Sequence, residues 1–410
     1  HMNIQNSSSI LIDSGGGWFN TKKAAAILFN KPQFSLSFSN DKIKIFSAKN
    51  DSIYFGDPIS HIEEYVSKGY YGVGYIGYDY LEKTNSKFKS SATKEGTESP
   101  QLFFHFYKPE DLTRIKYSDI NSSARRKPRL VQIGYSKPVS NITKPEYLKK
   151  VERIKRYIAD GDIYQVNLSQ RFSSRPLSDP LSYFFSLYNT QPVPYSAYIN
   201  FGEFQLISGS MELFLQKIGN KIITKPIKGT AKRGANQFED RKLKIGLKSS
   251  SKERAENLMI VDLMRNDLGR ICEYGSIKVK ELFKIKSFKT LFQMESQIEG
   301  TLKNSISLTD IIYNTFPPGS VTGAPKVRAI EIIDELEPHY RGPYCGAVCF
   351  LKPYGDFTIS VAIRVKLNTR VKSIFWVGGG IVWDSDPETE YEETILKSKA
   401  ITEADLSLDC

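Results

Sequence analysis

The sequence predicts an α+β protein, a layered sandwich of β-sheets with flanking helices. Short segments that alternate polar and apolar residues run through much of the 410-residue chain, and clear helical periodicity begins only near Pro145. Strands and helices then mix without the strict βαβ alternation of a doubly wound fold. The pattern divides the chain into residues 1–140 and residues 141–410, which one large sandwich can take in together.

The N-terminal 140 residues alternate short apolar segments with turn residues. Residues 14–17, one serine and three glycines, predict an early turn. The tyrosine- and glycine-rich segment 70–78 predicts a strand or a tight hairpin, because glycine permits close approach of two backbones. The polar segments 83–99 and 119–128 predict loops.

A helix is predicted from Pro145, because proline suits the first helical turn and apolar residues then repeat at helical spacing as far as residue 158. Gly161 is suited to end that helix. Further helices are predicted over 251–267, from 324–325 and from Pro387, and further strands near 195–201, 204–209, 213–218, 221–227, 344–352, 356–364 and 372–384.

The segment 163–172 predicts a strand with one polar face. Side chains alternate between the two faces of a strand, so residues two apart point the same way. The apolar members are Tyr164, Val166 and Leu168, and the polar members are Gln165, Asn167 and Ser169.

Composition indicates a globular protein, with 40% hydrophobic and 25% charged residues. The net charge of +12 fits a lysine-rich solvated surface, because the basic residues are scattered rather than gathered into a nucleic-acid-binding stripe. The four cysteines form no CxxC pair, so we expect reduced thiols in a cytoplasmic protein. No apolar run reaches the roughly 18 residues of a membrane span, and we expect no secretory signal.

Two pairs of glutamates have the spacing of neighbours on one helix face. Glu253 and Glu256 are three residues apart, as are Glu390 and Glu393. Four carboxylates converging from two helices would suit a hard divalent cation, with Mg²⁺ favoured. The alternative is local: Glu253 completes a capping box, and the acidic residues 388–393 complement a helix N-terminus.

Three shorter segments are candidates for ligand contact. The glycine-rich turn 317–326 leads into a helix, where free N–H groups favour an anion, unless Ser320 or Thr322 serves only as an N-cap. Three consecutive glycines at 378–380 would let a ligand approach the backbone closely. The alternative is a β-bulge, which would use the same residues. Lys228, in the sequence Pro-Ile-Lys-Gly-Thr, is a candidate nucleophile if its pKa falls, and otherwise a surface lysine.

Together these segments resemble the chorismate-utilising enzymes, a family that includes anthranilate, aminodeoxychorismate, isochorismate and salicylate synthases. The resemblance covers about residues 145 to 403, and the joint order of its motifs is specific, whereas residues 1–140 resemble the family only loosely. The segments that carry it are 165–172, 226–230, 259–270, 319–326 and 378–397.

The resemblance implies two large, mostly antiparallel β-sheets packed face to face with helices outside, and a chorismate-binding catalytic region at 141–410. It implies Mg²⁺ bound chiefly by Glu256 and Glu393, with Glu253 and Glu390 in support. Glu212 would be the general acid that protonates the departing hydroxyl. The implied substrate-binding residues are Gln165, Gly229, Thr230, Gln293, Thr322, Gly378 and Gly380, with Tyr344 and Arg364 at the enolpyruvyl carboxylate and Lys397 at the ring carboxylate.

Two positions separate the members of the family. Isochorismate and salicylate synthases carry a lysine base where this chain has Gln165, so the resemblance implies ammonia rather than water as the nucleophile. At residues 226–230, anthranilate synthases have the sequence Pro-Ile-Ala-Gly-Thr. Aminodeoxychorismate synthases have Pro-Ile-Lys-Gly-Thr there, as this chain does, with Lys228 as the lysine. In the latter, the lysine attacks ring C2 as the C4 hydroxyl leaves, and ammonia then adds at C4 and expels the lysine.

The implied reaction is therefore conversion of chorismate and ammonia to 4-amino-4-deoxychorismate, a step toward folate, with ammonia delivered by a separate glutamine amidotransferase subunit. No nucleic-acid or membrane partner is expected. The first alternative is anthranilate synthase component I, and a second is a non-enzymatic basic nucleic-acid binder.

The chain departs from the family at several positions. The family's His-Leu-Val-Ser motif aligns with 293–296, so Gln293 stands where a histidine could shuttle a proton. A frequent Ser-Pro-Glu becomes Ser-Met-Glu at 210–212, which keeps the acid. Residues 11–14 resemble the Leu-Leu-Glu-Ser segment that binds tryptophan in anthranilate synthases, so Ser14 marks a tryptophan site, a relic of one, or only a strand end.

Overall fold

The computed structural model describes residues 8–48, 50–84, 94, 99–116, 118 and 137–406. It consists of two large β-sheets packed face to face on a common hydrophobic core, with helices outside, which confirms the predicted α+β sandwich. Every described strand pair is antiparallel.

The strands in chain order are β1 (Ser9–Asp13), β2 (Ala25–Phe29), β3 (Phe34–Ser39), β4 (Lys42–Ser47), β5 (Ser52–Tyr54), β6 (Tyr71–Ile76), β7 (Leu102–Tyr107), β8 (Leu112–Lys116), β9 (Val139–Ser140), β10 (Gln165–Ser174), β11 (Tyr195–Asn200), β12 (Phe204–Ser210), β13 (Leu213–Ile218), β14 (Lys221–Lys225), β15 (Ile227–Lys232), β16 (Lys278–Ser287), β17 (Leu291–Thr301), β18 (Gly323–Ala324), β19 (Ala347–Leu351), β20 (Phe357–Val361), β21 (Val365–Thr369) and β22 (Ser373–Ile381).

The helices are α1 (Pro58–Ser67), α2 (Leu81–Thr84), α3 (Lys144–Ala159), α4 (Pro180–Thr190), α5 (Gln237–Ser249), α6 (Ser251–Ile271), α7 (Leu308–Thr315), α8 (Lys326–Leu336) and α9 (Pro387–Leu406).

The first sheet has the order β18-β10-β22-β21-β12-β11-β1-β2-β8, with β9 on β10, and the second has the order β15-β17-β14-β13-β20-β19-β6-β7-β3-β4-β5, with β16 on β17. Strands from the first 140 residues pair with later strands in both sheets, β1 with β11 and β6 with β19. The two segments therefore share one pair of sheets.

The predicted helix and strand after residue 143 form as their local signals indicate. Thr143 caps α3 and forms a reciprocal capping box with Glu146, and Gly161 takes a positive φ of 81° beyond the helix. In β10, Val166 and Leu168 join the hydrophobic core. The polar face of β10 is buried as well, which is the first indication of a site there.

Several predicted boundaries differ from the structure. The strand predicted over 221–227 is two strands, β14 and β15, separated by Pro226, which has no N–H to continue the ladder. Gly323 and Ala324 pair with β10 as β18, so α8 begins only at Lys326. Strands β16 and β17 and helices α4, α5 and α7 were not predicted. The loops expected at 83–99 and 119–128 fall largely outside the described residues.

Candidate active site

The three glycines of β22 lie at the centre of the candidate site. A Cβ atom on Gly378 would lie 2.8 Å from Asn167 Oδ1 and 2.9 Å from Tyr344 Oη. A Cβ atom on Gly380 would lie 3.5 Å from Lys228 Nζ, and still closer to the side-chain nitrogen of Gln165. The absence of side chains on β22 therefore lets these polar groups from distant segments gather in one place.

Helix α9 approaches the same strand through Gly379. A Cβ atom there would lie 3.2 Å from Glu390 Oε2 and 4.0 Å from Lys397 Nζ. The Lys397 ammonium donates a hydrogen bond to the Gly378 carbonyl at 3.0 Å and forms an ion pair with Glu393 at 2.6 Å. The last helix thus brings two glutamates and a lysine to the glycine-rich strand.

Lys228 lies on β15 and is half-buried, so it is not a fully solvated surface lysine. Burial lowers the pKa of its amine, while the charges of Glu256 and then Glu212 act in the opposite direction. The next residue, Gly229, has a φ of +89°, a conformation that favours glycine. Lys228 is therefore a half-buried amine beside Gly380, close enough to Glu256 and Glu212 to feel their charges.

Glu212 is 4% exposed and lies in the turn between β12 and β13. Burial raises the pKa of its carboxyl group to about 7. Hydrogen bonds from the Ser320 hydroxyl and the Ile227 N–H, and the charge of Lys228, oppose this rise only in part. A carboxyl group in this state can hold a proton near neutral pH and donate it.

The glutamates of α6 and α9 are close enough together for the charge of one to raise the pKa of another. Burial raises the pKa of Glu253, and the charges of Glu256 and Glu393 raise it further. Ser250 does cap α6 by accepting the N–H of Glu253, but the Glu253 carboxylate lies beside Gly229, with Oε2 2.8 Å from where a Cβ would be. The Ser250 N–H donates to the Leu247 carbonyl instead, so the predicted capping box does not form and the Glu253 carboxylate is directed to Gly229.

Burial also raises the pKa of Glu390, whose Oε1 accepts a hydrogen bond from Ser385 at 2.6 Å. In the described part of the chain, no three His, Cys, Asp or Glu side chains are close enough to form a ready-made metal-binding group. The crowded carboxylates are nevertheless all oxygen donors, the kind that Mg²⁺ prefers, and it commonly uses only one or two of them directly. The residues present fit that ion.

Three other predicted residues lie at the margins of this cluster. Gln293 and Thr230 are cross-strand partners, and the side-chain oxygen of Gln293 is buried without a hydrogen-bond donor among the described residues. Thr230 is exposed. Thr322 is fully buried and its hydroxyl donates to the Pro318 carbonyl at 2.6 Å, so it holds the glycine-rich turn together.

Arg364 is half-buried and has a φ of +49°. Burial lowers the pKa of its guanidinium to about 10. It lines a small recess with Ser196, Ser208 and Gly209. The recess holds only about 10 Å³, the space of one water molecule, so a place for Arg364 at a ligand's carboxylate stays a prediction.

A buried network that no sequence motif indicated lies behind the site. Arg341, 1% exposed, donates to Asn167 O at 2.7 Å, to Val321 O at 3.1 Å and to the Glu337 carboxylate. Glu337 in turn accepts the N–H and the hydroxyl of Ser169 at 2.7 and 2.8 Å. The network fixes β10 and the glycine-rich turn relative to each other, and no local pattern encodes it.

The segment around Ser14 forms a tight turn. The Asp13 carboxylate accepts the N–H groups of Gly15, Gly17 and Phe19. Trp18, which follows, is fully buried, donates from Nε1 to Ser196 O at 3.0 Å and meets Tyr195 edge-on. A tryptophan site at Ser14 stays a prediction.

The three cysteines within the described residues are free and buried. In the same part of the chain, no helix combines the length and the apolar character needed to cross a membrane.

Comparison with known proteins identifies the family of this chain. The family model described as chorismate binding enzyme matches residues 8–403. This chain therefore belongs to the chorismate binding enzymes. Its fold is similar to that of anthranilate synthase component I from Streptococcus pneumoniae TIGR4, with a TM-score of 0.80, 28% identity and 92% of each chain covered.

Relatives of two kinds are similar in sequence. Aminodeoxychorismate synthase component 1 of Escherichia coli K12 is 42% identical over 64% of this chain and 58% of its own length, and that of Bacillus subtilis 168 is 35% identical over 81% and 76%. Anthranilate synthase component 1 of Aquifex aeolicus VF5 is 42% identical over 65% of this chain and 54% of its own. The matches thus span less than two thirds of the E. coli and A. aeolicus proteins.

Proposed function

We propose that this chain is an aminodeoxychorismate synthase subunit, which replaces the C4 hydroxyl of chorismate with an amino group from ammonia. The observation that carries the proposal is the position of Lys228, whose amine lies against Gly380 and under the charges of Glu256 and Glu212. Family membership supports chorismate as the substrate, and the E. coli and B. subtilis relatives support the choice of member.

In the proposed reaction, the neutral amine of Lys228 forms a bond to ring C2 as the ring electrons shift and the C4–O bond breaks. Glu212 gives its proton to the departing hydroxyl, which leaves as water. Ammonia then adds at C4, and the lysine leaves with the reverse electron shift. The opposite pKa shifts of Lys228 and Glu212 support this assignment, because each favours the uncharged form that the step requires.

The dianionic substrate requires positive charge at both of its carboxylates. Glu256 and Glu393 would hold Mg²⁺, with Glu253 and Glu390 in support. When bound, the ion would supply charge at the ring carboxylate, where Lys397 would also contribute. Tyr344 and Arg364 would orient the enolpyruvyl carboxylate. The mutual charge repulsion of the glutamates supports the metal assignment, since a divalent cation would relieve it.

A glutamine amidotransferase subunit would supply the ammonia. The name component 1, carried by the E. coli and B. subtilis relatives, supports a second component. Glutamine should then sustain the reaction only when such a subunit is added, whereas ammonium salt should sustain it without one.

The test is product analysis by mass spectrometry after incubation with chorismate, MgCl₂ and ammonium chloride. We expect 4-amino-4-deoxychorismate, formed only when both salts are present. Formation that is indifferent to ammonium would overturn the proposal. Omission of chorismate, and a parallel reaction with Lys228→Ala, control for background amination.

Anthranilate synthase component I is the second candidate, because the A. aeolicus relative and the S. pneumoniae structure carry that name. Anthranilate and pyruvate as the products of the same incubation would decide in its favour.

A further inference from the structure

Asn167 is a buried amide on the polar face of β10, two residues from Gln165, and 8% of it is exposed. Its side-chain nitrogen donates to Val321 O at 3.0 Å and lies 3.8 Å from Cys345 Sγ. Its backbone N–H donates to Thr322 O at 2.8 Å, and its backbone carbonyl accepts from Arg341 at 2.7 Å. Both the backbone and the donor end of the amide are therefore fixed.

The acceptor end of the Asn167 amide has no partner among the described residues. Its Oδ1 is buried without a hydrogen-bond donor. It lies 2.8 Å from the point where a Cβ on Gly378 would be, and Tyr344 Oη lies 2.9 Å from the same point. An unpaired buried acceptor destabilises a protein, so this oxygen, beside Gly378 in the candidate site, points to a donor on a ligand.

We propose that Asn167 Oδ1 accepts a hydrogen bond from the group on ring carbon 4, the hydroxyl of chorismate and the amine of the product. The part of this inference that concerns the amine of the product rests on the proposed function. The part that concerns chorismate rests on family membership alone. At neutral pH both carboxylates of chorismate only accept hydrogen bonds, so the ring hydroxyl is its one donor. Asn167 is thus a recognition residue for the position at which the amine is introduced.

The spacing along β10 agrees with this assignment. The Gln165 nitrogen lies 3.5 Å from Glu256 Oε2, at the end proposed for the ring carboxylate. Asn167 is two residues further along the same face, about 6.6 Å away on an extended strand. That separation is comparable to the long axis of a six-membered ring carrying substituents at carbons 1 and 4. Two other amide oxygens are buried without a donor among the described residues: Gln165 Oε1, whose amide lies at the Glu256 end, and Gln293 Oε1, which belongs to the other sheet.

The decisive experiment compares equilibrium binding of chorismate with that of its 4-deoxy analogue, in which hydrogen replaces the ring hydroxyl. Every chain compared carries Lys228→Ala, because the lysine would form the proposed adduct with chorismate and not with the analogue. With Asn167 intact we expect chorismate to bind about tenfold more tightly. In Asn167→Leu the preference should vanish, because chorismate loses affinity and the analogue does not. The affinity for 4-amino-4-deoxychorismate should fall with that for chorismate.

Equal losses for chorismate and the analogue would overturn the proposal and assign Asn167 a purely structural role, as would no loss for either. Asn167→Ala, which adds no bulk, repeats the measurement if the leucine variant fails to fold. The matched control is Asn368→Leu, since Asn368 is 4% exposed and both ends of its amide are paired within the protein. That control should lose stability and keep the preference for chorismate.

Binding does not need turnover, so the proposed function and this inference can fail separately. A wild-type chain that produces anthranilate would overturn the proposed function, and the binding preference would still decide the role of Asn167 toward the ring hydroxyl. A chain that makes 4-amino-4-deoxychorismate but shows no preference for chorismate over the analogue would overturn this inference alone.

Discussion

Arg341 and Glu337 form a buried ion pair behind the candidate site, with N–O distances of 2.8 and 2.7 Å. Burial raises the pKa of Glu337, but the charge and hydrogen bonds of Arg341, together with the charges of His339 and Lys94, outweigh it and lower that pKa below its ordinary value. The same guanidinium holds Asn167 O and Val321 O, so one cation links β10 to the glycine-rich turn.

Replacing Arg341 with methionine should destabilise the protein by about 3–5 kcal/mol, because the Glu337 charge would stay buried without a partner. Urea unfolding measures the change. The matched control is Arg328→Met, whose partners Asp162 and Glu331 are at the surface, and it should cost about 0–1 kcal/mol. Equal effects of the two substitutions would contradict the role assigned to the buried pair.

Lys228→Ala should lower kcat by about two orders of magnitude or more, because the covalent route through ring C2 would be lost. Partial rescue at high ammonium concentration is expected if direct addition at C4 remains feasible. Steady-state kinetics with product detection by mass spectrometry measure both effects. Lys232→Ala, on the exposed end of the same strand, is the control and should keep wild-type activity. Unchanged turnover in Lys228→Ala would remove the covalent role.

Glu212 should produce a fall in kcat/KM as the pH rises through about 7, because its carboxyl group must be protonated to act as an acid. Glu212→Gln should remove this limb and lower the rate by about 10²–10⁴-fold. A pH–rate profile from pH 5.5 to 9 measures the effect.

Ser320→Ala tests the same group without removing it. The Ser320 hydroxyl lowers the pKa of Glu212, so its loss should move the descending limb to higher pH. A profile that keeps its midpoint in Ser320→Ala, or its descending limb in Glu212→Gln, would assign the titration to another group.

Glu256→Gln and Glu393→Gln should each raise the Mg²⁺ concentration required for half-maximal activity by at least about tenfold, since each removes one charged oxygen donor. The control is Glu392→Gln, which lies next to Glu393 but is exposed and pairs with Lys144. Activity is measured against MgCl₂ at fixed chorismate and ammonium. A shift as large in the control would argue against specific coordination by the two glutamates.

Asp79 should make stability depend on pH near neutrality. Burial raises the pKa of its carboxyl group to about 7, although it accepts the Gly342 N–H at 2.7 Å. The folded state then binds more protons than the unfolded state between about pH 4 and 7. The free energy of unfolding should therefore fall as the pH rises through this window, by up to about 1.4 kcal/mol per pH unit. Asp79→Asn should reduce the difference between urea unfolding at pH 5 and at pH 8, and Glu212, whose pKa is also raised to about 7, should supply the part that remains.

Asp160→Asn, an exposed substitution at the end of α3, provides the control for Asp79→Asn. Parallel pH dependences in the wild type and Asp79→Asn would show that another group titrates.

Local signals in the sequence determined the elements that depend on near neighbours. Pro145 and the periodicity that follows it predicted α3, and the alternation in 163–172 predicted β10 with Gln165 and Asn167 on one face. The spacing of Glu253 and Glu256 placed both on one helix, because helical geometry fixes which residues share a face. The resemblance of the motifs gave the family and the layered fold, both of which are confirmed.

Only the tertiary structure determined the burial, the contacts and the pKa of the reactive groups. Spacing could not distinguish a surface Lys228 from an amine against Gly380, because the two residues lie on different sheets and meet only when the sheets pack. The pKa of Glu212 depends on exclusion of water by strands far apart in the chain, and the Arg341 network joins segments more than 150 residues apart. Desolvation and long-range pairing have no periodic signature in a sequence. The sequence therefore identified the candidate residues, and the packed fold determined their pKa values and their partners.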